Sequence, residues 1–167
     1  PFRLTRPTSL KGQIMKLLCD AMLKGLARWL RAAGYDTELP RPEENDRGII
    51  ERARREGRWL VTRDRKLLEF RHADTTVIHL RANSLDGCAV ELSACLPLDW
   101  QHRPFSRCLV CNRPLEPAAE ARGEAAPADV RDQALWQCPH CGRLYWDGSH
   151  VRRMRRRLED FNRKTGG

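Results

Sequence analysis

Four cysteines fall in two Cys-x-x-Cys pairs, Cys108/Cys111 and Cys138/Cys141, and no other feature limits so strongly what this chain folds into. Each pair brings two thiolates to the spacing with which a tight knuckle grips one face of a tetrahedral Zn²⁺. Gly142 follows the second pair, where a left-handed backbone is cheap only for glycine. The 26 residues between the pairs leave room for a loop inserted in a zinc ribbon. Four thiolates close the coordination sphere, so the expected zinc is structural. Two disulfides are the competing arrangement. They would leave an odd thiol among the seven cysteines, and no secretory segment is evident, so a reducing, cytoplasmic setting is expected. Cys19, Cys88 and Cys95 are expected in the core as small apolar residues.

The net charge of +9 is unevenly spread. Residues 17–141 carry 19 basic and 19 acidic side chains and balance. Residues 1–16 hold four basic side chains and no acid, and residues 142–167 hold eight against three. Basic flanks around a neutral body suit a phosphate-bearing partner. No apolar run approaches the roughly 20 residues that span a bilayer, so a soluble protein is expected. Residues 1–14 read as a basic N-terminal arm or as a remnant upstream of Met15.

Lys16–Asp20 is a short apolar run ending on an acid, the pattern of a buried strand. Residues 22–33 follow as a helix whose stripe is Leu23, Leu26, Ala27, Leu30 and Ala33, with Lys24, Arg28 and Arg31 along another face. A strand is expected at residues 37–39, a helix from Asp46 to Glu56 ended by Gly57, and a strand at residues 59–62. A short helix at 65–70, a strand at 75–80 and a helix at 84–95 complete the body. Strands alternating with helices imply a parallel sheet covered on both faces. Pro97 and Pro104 mark its boundary with the zinc module. The expected divisions are thus 1–14, a sheet domain over 15–100, a ribbon over 101–150 and an arginine-rich helix and tail over 151–167. Residues 113–129, rich in Ala, Glu and Pro, read as a solvated insertion. In the last helix Val151, Met154, Leu158 and Phe161 form a stripe that is expected to pack on the ribbon. Arg152, Arg153, Arg155, Arg156 and Arg157 surround it and face phosphate.

Open parallel sheets hold their ligands outside the carboxyl ends of the strands. Asp20 and Asp64 fall on that edge, and Asp46 begins a crossover helix on the same edge. Each also has a plainer use as a cap or turn residue. Together they form a cluster that would repel itself unless a hard cation such as Mg²⁺ or Mn²⁺ neutralised it. Such a cation also activates water for attack on a phosphodiester. Thr62 and Arg63 flank the third acid; the Thr62 hydroxyl suits a carboxylate or a metal-bound water, while a β-branched residue in a strand is also its plain use.

The segments Leu18-Cys19-Asp20-Ala21-Met22-Leu23, Leu26-Ala27-Arg28-Trp29-Leu30-Arg31, Gly34-Tyr35-Asp36-Thr37 and Leu60-Val61-Thr62-Arg63-Asp64 resemble the Mut-seven C-terminal RNase family. So do the two knuckles, Cys108-Leu109-Val110-Cys111-Asn112 and Cys138-Pro139-His140-Cys141-Gly142, and the later Gly148-Ser149-His150 and Arg152-Arg153-Met154. The resemblance runs over roughly residues 15–158. It implies a PIN-like nuclease domain joined to a zinc ribbon, with Asp20, Asp46 and Asp64 as the acids of a metal-dependent RNase site. Lys24 and Arg28 match basic positions after the first acid. Asn45 replaces an acid common at the second position, which leaves Glu44 and Asp46 as alternatives. A fourth acid is not placed, with Asp74 and Asp86 as candidates.

The expected protein is a Mg²⁺- or Mn²⁺-dependent ribonuclease that leaves a 5′-phosphate and a 3′-hydroxyl. Its ribbon and its basic helix, through Arg152, Arg153, Arg155 and Arg156, would bind RNA, with ribosomal RNA or the ribosome among the partner classes. The alternative is a non-catalytic RNA- or ribosome-binding adaptor on the same fold.

Overall fold

Leu17, Leu18 and Cys19 are each fully buried, yet successive strand side chains point to opposite faces of a sheet. Both faces must therefore be covered. In the computed structural model, which describes residues 15–118 and 134–166, that is the arrangement found. β1 (Lys16–Cys19), β2 (Asp36–Glu38), β3 (Trp59–Thr62) and β4 (Val77–His79) form a parallel sheet in the order β2-β1-β3-β4. Leu17, Cys19, Val61 and Ile78 face one core, shared with α1 (Lys24–Ala32), α4 (Leu85–Cys95) and α5 (Ser149–Thr165). Leu18, Leu60 and Val77 face a second, smaller core with α2 (Asp46–Glu56) and α3 (Ala73–Thr76). This is the α/β, PIN-like sheet flanked by helices that the sequence implies. No helix among the described residues is long and apolar enough to cross a membrane.

Three local readings shift. The first helix opens as a 3₁₀ turn over Ala21–Leu23, where Leu23 N donates to Asp20 O at 2.8 Å, before becoming α-helical at Lys24. The expected strand at 75–80 is shorter, because Ala73 and Thr76 are both buried one turn apart, a spacing that needs a helix. The last helix does not rest on the ribbon alone. Met154, Leu158 and Phe161 enter the main core, and the Phe161 ring lies 4.8 Å from that of Trp100 and 5.6 Å from that of Trp29. The N-terminal arm (1–14) and residues 119–129 of the insertion lie outside the described residues.

The small module has three short antiparallel strands, β5 (Glu116–Pro117), β6 (Trp136–Gln137) and β7 (Leu144–Tyr145). It is fastened to the sheet at two places. The segment before it crosses the end of α1, where Arg103 N and Phe105 N donate to Ala33 O and Ala32 O at 3.0 and 2.8 Å. Gly34 makes that approach feasible, since a Cβ there would lie 2.4 Å from Arg103 O and its φ is +99°. The second fastening is at β2, the edge strand. Thr37 N donates to Asn112 Oδ1 at 2.9 Å, and Thr37 O accepts from Arg31 Nε at 2.7 Å. Helical spacing sets Arg31 along the face of Lys24 and Arg28, which are exposed. Arg31 is buried instead, and its Nη1 also donates to Val110 O at 2.8 Å.

Candidate active site and metal centre

The chain leaves β1 for β2 on one side and returns to β3 on the other, so the carboxyl ends of β1 and β3 bound a topological switch point. Asp20 follows β1, and its N–H donates to Val61 O at 2.9 Å. Thr62 ends β3 and is fully buried. Its hydroxyl donates to Asp20 Oδ2 at 2.8 Å and accepts from Asp64 N at 2.9 Å. One hydroxyl thus ties together the two acids at the switch point. Asp64 Oδ1 in turn accepts from Lys66 N at 2.9 Å, which caps the 3₁₀ turn over Arg65–Glu69. Both aspartates are half-buried, and the other oxygen of each lies outside these bonds.

At the second position Asn45, not Asp46, caps α2, with Oδ1 accepting from Gly48 N at 2.9 Å. Asp46 is the exposed first residue of the helix. Glu44 is committed elsewhere: Oε1 lies 2.9 Å from Arg52 Nε and Oε2 accepts from Arg41 N at 3.0 Å. Of these two alternatives, Asp46 is the one whose carboxylate stands in solvent at the sheet edge. The three aspartates do not close into one tight set. Among the described residues only the four cysteines bring three or more ligand atoms within 4.8 Å of one another. Of the other candidates, Arg63 donates to Asn83 Oδ1, and Asp74 is exposed on α3. Asp86 pairs with Arg157 and Lys164 of α5, and the hydrogen bond from Lys164 leads in holding its carboxyl below the usual range.

Lys24 and Arg28 are exposed one turn apart on α1. On α5 the arginines are not equivalent. Arg152 Nη1 donates to Asp147 O at 2.7 Å, and Arg155 lies over the Phe105 ring at 5.3 Å. Arg153 and Arg156 are exposed and form no ion pair among the described residues.

In the small module Cys108 Sγ and Cys141 Sγ lie 3.7 Å apart. A Zn–S distance of about 2.3 Å in a tetrahedron requires sulfurs about 3.8 Å apart, so this separation and four soft donors fit zinc. Each knuckle is closed by a left-handed residue, Asn112 (φ 64°) and Gly142 (φ 72°). Their amides donate to Cys108 O and Cys138 O at 3.0 Å. Asparagine tolerates that conformation better than most side chains, and here it also supplies the amide group that grips β2. The hydroxyl of Tyr145 lies 3.1 Å from Cys108 Sγ and accepts from Leu109 N, and Cys111 N donates to the same sulfur at 3.3 Å. Burial would raise Cys108, but these donors outweigh it and bring the thiol down to about 7. Cys111 is pushed up to about 12 by burial and by its neighbouring thiols.

Asn112, Arg31 and the Tyr145 hydroxyl were not legible as functional positions. The only available signal was Asn112 standing where the second knuckle has glycine. A family model described as Mut7-C RNAse domain matches residues 15–158. Comparisons with curated proteins and with solved structures give no match.

Proposed function

The chain belongs to the Mut7-C RNAse domain family, and we propose that it is a metal-dependent ribonuclease whose acids are Asp20, Asp46 and Asp64. The observation that supports this most directly is the Thr62 hydroxyl between the ends of β1 and β3, which orients Asp20 against the backbone of Asp64. Carboxylate oxygens, such as those of the half-buried Asp20 and Asp64, are the donors that hard cations prefer. Mg²⁺ or Mn²⁺ held there would supply charge neutralisation at a phosphodiester and a water activated for in-line attack. The protein's own part is positional. Lys24 and Arg28 present cations to the backbone of the strand entering that edge, and Arg153 and Arg156 extend the basic surface along α5, with Arg152 and Arg155 beside them. The four-cysteine zinc is structural. Cytoplasmic location, and the ribosome or ribosomal RNA among the partners, complete this reading.

One observation favours the second reading, a non-catalytic RNA- or ribosome-binding adaptor: the three carboxylates are not drawn within 4.8 Å of one another. End-labelled single-stranded and structured RNAs incubated with the protein, with and without Mn²⁺ or Mg²⁺, decide between the two. Cutting that depends on the metal and is lost in Asp64→Asn is the expected result. Salt-sensitive binding with no cutting by either protein would establish the adaptor.

A further inference from the structure

A cavity of about 770 Å³ lies between the second knuckle, α1 and the start of α5. Its volume falls in the range of about 300–1,000 Å³ typical of small-ligand sites. Arg28, Arg143 and His150 line it, and no carboxylate does among the described residues. Arg28 Nη2 lies 3.3 Å from His150 Nε2. A guanidinium only donates, so Nε2 is the acceptor in this contact. Arg28 thus has no counter-anion in the lining of the cavity. The aromatic wall is fixed in advance. Tyr145 is anchored through its hydroxyl to the zinc knuckle. Trp146 lies so close to the start of α5 that a Cβ on Gly148 would meet its Nε1 at 2.8 Å.

Basic groups without a counter-anion, beside two held aromatic rings, match the two halves of a nucleotide. We infer that this cavity seats one nucleotide of a single-stranded RNA, with its phosphate on Arg28 and His150 and its base against the Tyr145–Trp146 wall. Arg28 stands about 6 Å, one helical turn, along α1 from Lys24. Lys24 closely follows Asp20 in the chain. The inference rests on the ribonuclease reading for its choice of RNA.

The test is fluorescence anisotropy of a labelled eight-nucleotide single-stranded RNA, at low salt and without added Mg²⁺ or Mn²⁺. Binding is then read apart from cutting. His150→Ala and Val110→Glu should each raise Kd at least fivefold. Val110 lines the cavity and is 55% exposed, so its replacement leaves the core untouched. Val110→Lys should not raise Kd, and Val90→Glu, an equal charge at an exposed position of α4, should change it less than twofold. Equal effects of Val110→Glu and Val90→Glu, or an unchanged Kd in His150→Ala, would overturn the inference. So would displacement of the label by an acidic peptide as effective as unlabelled RNA, which would assign the cavity to a protein partner. If these effects hold while Mn²⁺ elicits no cutting, the nuclease reading fails and the cavity stands. If cutting proceeds while they are absent, the cavity fails alone.

Discussion

The hydroxyl of Thr62 donates to Oδ2 of Asp20 at 2.8 Å, across two neighbouring parallel strands. Thr62→Val keeps the shape and removes the hydroxyl, so Asp20 loses a donor and the Asp64 amide loses its acceptor. The expected cost in stability is about 1–3 kcal/mol. Metal-dependent cutting should fall at least tenfold, and Thr62→Ser should restore most of it. Cutting by the valine variant at the wild-type rate would show that the link plays no part in the reaction.

Metal analysis of the purified protein should give one zinc per chain, lost in Cys138→Ser. Retention of that zinc would exclude the four-cysteine site. Binding must also displace thiol protons, most of all from Cys111 near 12. Zinc affinity measured against a competing chelator should therefore rise from pH 6.5 to pH 8.

Asp36 gives the fold an acid limit. Burial alone would raise its carboxyl, but hydrogen bonds from Arg58 and Asn112 outweigh burial and hold it below the usual range. Its folded pKa is thus lower than its unfolded one. The stabilisation is complete above about pH 4 and is lost as pH falls through the folded value. Asp36→Asn should flatten the dependence of melting temperature on pH below about 4. An unaltered profile would remove Asp36 as its source.

Phe161 tests whether α5 belongs to the core. The ring is 1% exposed between Trp29 and Trp100. Phe161→Ala should cost about 3–5 kcal/mol in urea unfolding. A loss below about 1 kcal/mol would make α5 a detachable tail.

Arg153 and Arg156 are the α5 arginines best situated to meet phosphate. Each phosphate neutralised on a single strand contributes about 0.7 to the slope of log K against log salt. Replacing both by Gln should lower that slope by about 1.4. An unchanged slope would move the RNA path off α5.

The sheet was legible because its information is local. Apolar runs ending on acids at residues 16–20 and 59–64, and the alternation of helices between them, suffice for a parallel sheet and for the edge its ligands use. The cysteine pairs were legible for the same reason, since a knuckle is four residues long. What joins the halves was not. Arg31 shares the helical spacing of Lys24 and Arg28, and only the arrival of Leu109 and Val110 beside it makes it a buried donor. Asn112 looks like a turn residue until β2 is brought against it, 75 residues away in sequence. The stripe of α5 was visible, but a stripe does not name the surface that it covers. The acids stand between these cases: their edge follows from topology, whereas their mutual distances depend on loops.

Asn112 sits directly after Cys111, so a zinc held by the four cysteines would also decide whether the outer side of β2 is sealed. Zinc shortage would then be a hazard before it is a loss of function. With the knuckle released, Thr37 offers an unpaired amide on the sheet edge, a donor to which a strand of another copy can pair. Protein made without zinc should accumulate as β-rich aggregate even where Asp20, Asp46 and Asp64 are intact.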